Sequence, residues 1–233
     1  MILRIWLPNA QALLVSYGLI AAGVAISLQD FFKNIVGGII VFVGGVYRVG
    51  DRIEVNGKFG DVIDIGILYT SLLEMREWVK GDQATGRIVT IPNGYVLSSN
   101  INNYTRDHSF IWDEIMLPIT YKSNWKKAIK LIREIVTKET MELTKKAEKE
   151  ISALENKYYV SKRNVEPDVF LLPTDNWIAF HIRYITEVRE RRILHNKLVK
   201  LILEKIQKEP DITIASTTMA IVEFPKITLE GKK

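Results

Sequence analysis

From Ala10 to Leu28 the chain runs nineteen residues without a charge, between Arg4 and Asp30, and most of them are apolar. A helix of that length rises about 28 Å, close to the roughly 30 Å of a bilayer's hydrocarbon core, so the pattern predicts one transmembrane helix. The polar group Gln29 to Asn34 predicts its end, because ionisable groups such as Asp30 and Lys33 are costly at membrane depth. Residues 35–46, IVGGIIVFVGGV, are too short to cross again, and their paired glycines predict a bent continuation along the membrane surface. From Tyr47 onward short β-branched runs alternate with Gly50-Asp51, Asn56-Gly57 and Gly60-Asp61, and Asn-Gly is a strong hairpin signal. With IVTIP ending at Pro92, residues 47–108 predict a small five-strand β-barrel. A strand at 110–119, one or two helices at 124–157, strands at 169–172 and 177–186, a helix at 189–207 and a strand at 218–224 follow. That β-α-β-β-α-β order is ferredoxin-like, over 109–225 with a tail at 226–233. The first of its helices exceeds what such a unit needs, which predicts an insertion within about 138–160.

Charge sharpens the division. Residues 1–46 hold three charges, Arg4, Asp30 and Lys33, against 56 in the remaining 187. A secretory signal peptide would have a shorter apolar stretch and a cleavage site instead of a second apolar run. A buried core helix would carry more polar residues over such a length. The formal net charge is +5, and cysteine is absent, which removes disulfides, thiol nucleophiles and zinc ribbons. The histidines at 108, 181 and 195 and the aspartates at 51, 61, 64 and 82 form no catalytic or metal-ligand spacing; aspartates beside glycines read as turn residues. No enzyme, cofactor or metal is predicted.

Small residues crowd the first helix. Gly18, Ala21 and Ala25 recur at spacings of three and four and form one stripe, while Gly23 falls on another face. Small residues let helices approach closely in lipid, and on more than one face they suit a helix packed between copies of itself, as staves of a ring are.

Three stretches carry a family resemblance: GVAISLQDFFKNIVGGIIVF, YRVGDRIEVNGKFGDVIDIGILYTSL and GRIVTIPNGYVLSSNINNYTR. The Leu-Gln pair with Asn34 five residues after Gln29, the VGDRIEV and GDV pair, and IPNG followed by NxxNYTR resemble the mechanosensitive channel of small conductance (MscS) family. The resemblance runs through residues 10–106, and the element order of 110–224 fits the family's C-terminal domain. It implies a membrane α-helical pore segment, a small all-β barrel of Sm/SH3-like type and an α+β ferredoxin-like domain. It further implies a homoheptamer in the cell membrane, in contact with lipid, passing ions and small solutes when tension rises in hypoosmotic shock. Leu13 to Leu28 becomes the pore helix, with Ile26, Ala22 and Leu19 as constriction candidates and Gly18, Ala21, Gly23 and Ala25 as its packing surface. Gln29, Asp30 and Asn34 lie at the helix foot, and Gly37 and Gly38 at the hinge. The family commonly has glycine where this chain has Asp30, which moves the expected bend to Gly37-Gly38. The large residue expected one turn before Ile26 is Ala22, leaving Leu19 as the second ring. Family members have at least two membrane helices before the pore helix, so this chain is either a piece whose upstream helices have been removed or an unusually short member; the opening MILRIWLPNAQALL resembles the link before a pore helix, which favours the first.

The contrasting reading is a soluble nucleic-acid-binding protein, since small barrels and ferredoxin-like domains both bind RNA. Neither IVTIP nor IAFHIRYI matches the RNP pattern, so no nucleic acid is expected as a partner. Arg4 precedes the helix whereas Lys33, Arg48, Arg52 and Lys58 follow it, which predicts cytoplasmic C-terminal domains.

Overall fold

A computed structural model describes residues 10–158 and 164–217, as two compact units that meet in sequence between Ser109 and Phe110. The first opens with helix α1, Ala10–Gly44, 35 residues long. The helix continues through Gln29–Asn34, where the sequence pattern predicts an end. Gln, Asp, Lys and Asn here include no proline, and each keeps its backbone donor; the polar group marks a change of surroundings and not of backbone. The helix stops at Gly45, whose φ of +57° is the left-handed conformation of a C-terminal cap and whose N–H donates to the Val41 carbonyl at 3.0 Å.

Five strands follow: β1 Arg52–Val55, β2 Lys58–Ile65, β3 Tyr69–Met75, β4 Ala84–Pro92 and β5 Ile101–Asn103, with a 3-10 turn at Asn93–Leu97. They form one antiparallel sheet in the order β4-β3-β2-β1-β5, so β4 and β5 stand at its two edges. Asn56 and Gly57, both at positive φ, close the β1–β2 hairpin in the register Val55↔Lys58, as the dipeptide predicts. Val41 of α1 joins Tyr47, Ile53, Val55, Val62, Leu72 and Ile91 in the core, so the lower helix is part of this unit's hydrophobic interior.

The second unit has strand β6 Phe110–Ile119, helix α2 Trp125–Tyr158, strands β7 Asp168–Pro173 and β8 Ile178–Glu187, and helix α3 Arg191–Ile206. The antiparallel order is β6-β8-β7, with a further bridge from Ile119 to Ile214. Inward residues of the strands, among them Ile115, Phe180 and Ile182, meet Ala128, Ile132 and Val136 of α2 and Leu198 and Ile202 of α3. The extra length expected near 138–160 is continued helix as far as Tyr158: Ala147 and Ile151 pack with Phe110, Val165 and Ile185 in a second cluster. The strand expected at 218–224 and the opening residues 1–9 lie outside the described residues.

Candidate functional site

Residues 14–32 of α1 are exposed without interruption, and burial within the apolar span Leu13–Gly44 begins only at Gly37, Gly38 and Val41, towards its lower end. This is the one span among the described residues that is long and apolar enough to cross a membrane. The site residues expected here fall on definable faces. Leu19, Ala22 and Ile26 follow spacings of three and four and share an arc; Leu19 is 70% and Ile26 73% exposed. Gly18, Ala21 and Ala25 share the arc beside it. A Cβ built on Gly18 or Gly23 meets nothing within 4 Å, so neither glycine is explained by contacts inside the chain. Nothing among the described residues of one chain brings these positions into a closed site.

Eight residues beyond Ile26, the same helix is locked to the β unit. Asn34, placed at the helix foot by the sequence, accepts a hydrogen bond from the Gly94 N–H at 2.8 Å. A Cβ on Gly94 would come within 2.7 Å of Asn34 Oδ1 and 3.1 Å of Lys33 Cγ. A Cβ on Gly37 would collide with the Asn93 carbonyl, and one on Gly38 with the Ile67 carbonyl. The two glycines expected as a hinge therefore have a second reason to be glycine: the helix backbone lies directly on the backbone of the β unit. Gln29 and Asp30 are exposed above this joint.

Beneath the helix a neutral polar network fixes the two loops that receive it. Asn93 is fully buried; its Oδ1 accepts from Thr70 Oγ1 at 2.7 Å, and its Nδ2 donates to the carbonyls of Gly66 at 2.8 Å and Ile67 at 3.1 Å. With the Thr70 proton committed to Asn93, the Tyr47 hydroxyl donates to Thr70 across 3.0 Å. Burial pushes the Tyr47 pKa up in spite of that bond, so the phenol stays neutral. IPNG is in the sequence, but Thr70, Tyr47 and the carbonyls of the β2–β3 turn carry no local signal of this role. Nor does an apolar cleft of about 330 Å³ between the lower helix, at Ile39, Phe42 and Val43, and the turn at Ile65–Ile67.

Several other titratable groups are paired separately. Asp51 accepts from the Arg48 N–H and Asn103, Asp61 pairs with Arg52, and Asp82 pairs with Arg76. His181 pairs with Glu114, whereas His195 lies 3.1 Å from Asp113. Asp113, in β6, is a buried acid that sequence reasoning passed over: it accepts from Tyr184 at 2.7 Å and from Arg191 Nε at 2.9 Å. Burial alone would raise its pKa, but Tyr184, His195 and Arg191 together hold it below the usual carboxylate range. Burial, with Asp113 beside it, pushes Tyr184 far above the usual phenol range.

Residues 30–106 match the protein family described as mechanosensitive ion channel, beta-domain. An uncharacterised MscS family protein of Buchnera aphidicola is 31% identical over 121 residues, which cover 51% of this chain and 40% of that protein. The small-conductance mechanosensitive channel MscMJ of Methanocaldococcus jannaschii is 30% identical over 132 residues, 55% of this chain and 35% of its relative. The chain thus spans less than half the length of these two relatives. The crystal structure of Helicobacter pylori MscS in a closed state superposes with a TM-score of 0.68 at 21% identity, over 93% of this chain and 74% of that one.

Proposed function

The chain belongs to the MscS family, and from that premise we propose that it is a subunit of a membrane channel opened by tension. The observation that carries this reading is the contrast along α1: a membrane-length upper segment with no cover inside the chain, continuous with a lower segment locked into the β unit. A single helix in lipid gains nothing from Gly18, Ala21, Gly23 and Ala25, but neighbouring helices approaching through them line a conduit. Seven copies, with the β units as small barrels of Sm/SH3-like type and the C-terminal units as ferredoxin-like modules on the cytoplasmic side, complete the assembly. The two free sheet edges, β4 and β5, suit head-to-tail association of copies into a ring.

In the closed channel a ring of Ile26 side chains, with Ala22 and Leu19 above it, forms an apolar constriction. An ion there loses hydration and finds no replacement ligand, so a constriction wide enough for an ion is still non-conducting when it is dry. Tension favours the wider state, and ions and small solutes leave the cell during hypoosmotic shock. Because Asn34, Gly37 and Gly38 hold the lower helix to the β unit, upper-helix movement is resisted from below.

Patch-clamp recording of the full-length protein under graded tension tests this. Ile26→Ser wets the constriction, and channels open at lower tension or leak. An unchanged threshold in protein shown to be assembled would remove Ile26 from the gate, and no tension-dependent current from the assembled parent would overturn the channel reading itself.

A further inference from the structure

We propose that Asp30 and Lys33 form two opposed charge rings at the inner mouth of the pore and that their balance sets its ion preference, an inference that rests on α1 being the pore helix. The argument begins with the helix being continuous from Ala10 to Gly44, which lets faces be followed downward at about 100° per residue. Asp30 lies four residues, and Lys33 seven, beyond Ile26, so both continue the arc of Leu19, Ala22 and Ile26. Gln29, three residues beyond Ile26, joins them. The opposite side carries Tyr17, Ile20, Val24, Leu28, Phe31 and Phe32, all exposed and none charged. One side of the helix is thus built for lipid, and the only two charges of α1 lie on the other.

Neither charge is used among the described residues. Among the described residues Asp30 and Lys33 have no ion pair or hydrogen bond from their side chains, while Asp61, Glu74 and Asp82 of the β unit are paired with arginines and lysines. Asp30 is exposed, and Lys33 is half-buried because its stem passes Gly94, which holds the base of the side chain in place at the joint. The two levels are about 4.5 Å apart along the helix axis, well inside the Debye length of about 8 Å at physiological salt. An ion in the mouth therefore feels both rings at once, and one carboxylate against one ammonium per copy leaves little net potential. The expected parent channel discriminates weakly between cations and anions. Removing either ring unmasks the other, and a potential of about 1 kT per unit charge is enough to change the local cation-to-anion ratio several-fold.

Reversal potentials of tension-opened channels of the full-length protein, in a salt gradient, give the test. Asp30→Asn is expected to shift the permeability ratio several-fold toward anions and Lys33→Gln several-fold toward cations, and the swapped pair Asp30→Lys with Lys33→Asp is expected to return it near the parent value. Since the 233 residues contain no cysteine, Asp30→Cys gives a second, independent readout. Modification by a cationic thiol reagent in the open channel moves selectivity toward anions, and an anionic reagent moves it back. Tension-opened variants with parental reversal potentials would overturn the proposal while leaving the channel reading intact, as would shifts of the same sign in both single variants. Lys33 engaged with lipid phosphate instead of the conduit would be recognised by the first of these results. A parent without tension-opened current would fail at the earlier step, so the two failures are separate.

Discussion

Two halves of one helix use glycine for opposite reasons. Around Gly18 and Gly23 a side chain would meet nothing in the chain, whereas at Gly37 and Gly38 it would strike backbone carbonyls of the β unit. The lower half has found its partner inside the chain, and its glycines record a contact already made. The upper half has not, and its small residues make physical sense only against another molecule. A continuous backbone thus joins a surface completed by folding to one that awaits assembly, and substitutions in the two halves should differ in kind as well as in size.

The largest effect is expected from Gly37→Val. The added groups have nowhere to go, since the obstacle is the Asn93 carbonyl and the adjoining Gly94 nitrogen, not the end of a flexible side chain. Overpacking of this kind costs about 3 kcal/mol, and here it also parts Asn34 from Gly94. Thermal unfolding of the full-length protein should show a destabilised β unit; a parental transition would mean that the helix does not lie on the loops as described. Asn93→Ala comes next, at about 2 kcal/mol, because it strands the buried Thr70 hydroxyl and removes the donor to the Gly66 and Ile67 carbonyls in one step. Asn93→Asp should not restore stability, since a carboxylate cannot donate to Gly66 and Ile67. Full stability in Asn93→Asp would place the network elsewhere.

How much of this was legible in the sequence differs between the halves in the same way. The apolar run of Ala10–Leu28 and the strand at 110–119 are carried by neighbouring residues, and both are found where the pattern puts them. The helix running through Gln29–Asn34 was not legible, because polarity reports the surroundings of a segment and that group resembles a terminus. The joint escaped for another reason: Asn34 meets Gly94 across 60 positions and Asn93 meets Gly66 across 27, distances over which no periodicity speaks. Asp113 escaped because an aspartate in an alternating strand looks like a solvent-facing residue, and only the fold brings Tyr184 and Arg191 to it.

Acid separates the joint from the C-terminal unit more gently. Asp113 is held below the usual carboxylate range, so the stability it contributes is complete above that range and is lost as pH falls through its depressed value. The joint has no group of this kind: asparagine, threonine and glycine do not titrate, and Tyr47, raised by burial, loses its contribution only in strong alkali. Hydrogen exchange followed from neutral pH downward should therefore show α3 and β6 loosening while the amides of Gly66, Asn93 and Gly94 stay protected. Loosening of both together would mean that the joint depends on a charge not identified at it.

The smallest effect on the chain, and the sharpest test of the contrast, belongs to Ala25→Leu. Residue 25 is exposed, and alanine and leucine differ by only a few tenths of a kcal/mol in helix propensity, so the unfolding transition of either unit should be unmoved. If Gly18, Ala21 and Ala25 form the surface on which neighbouring pore helices approach, the same leucine adds volume where backbones need to be close and there is little room to repack. The mass of the complex in detergent, or the tension needed to open it, should then change while the monomer's stability does not. A leucine that leaves assembly and threshold at parental values would show that the stripe faces lipid, and the partner of the upper helix would have to be sought on the Gly23 face.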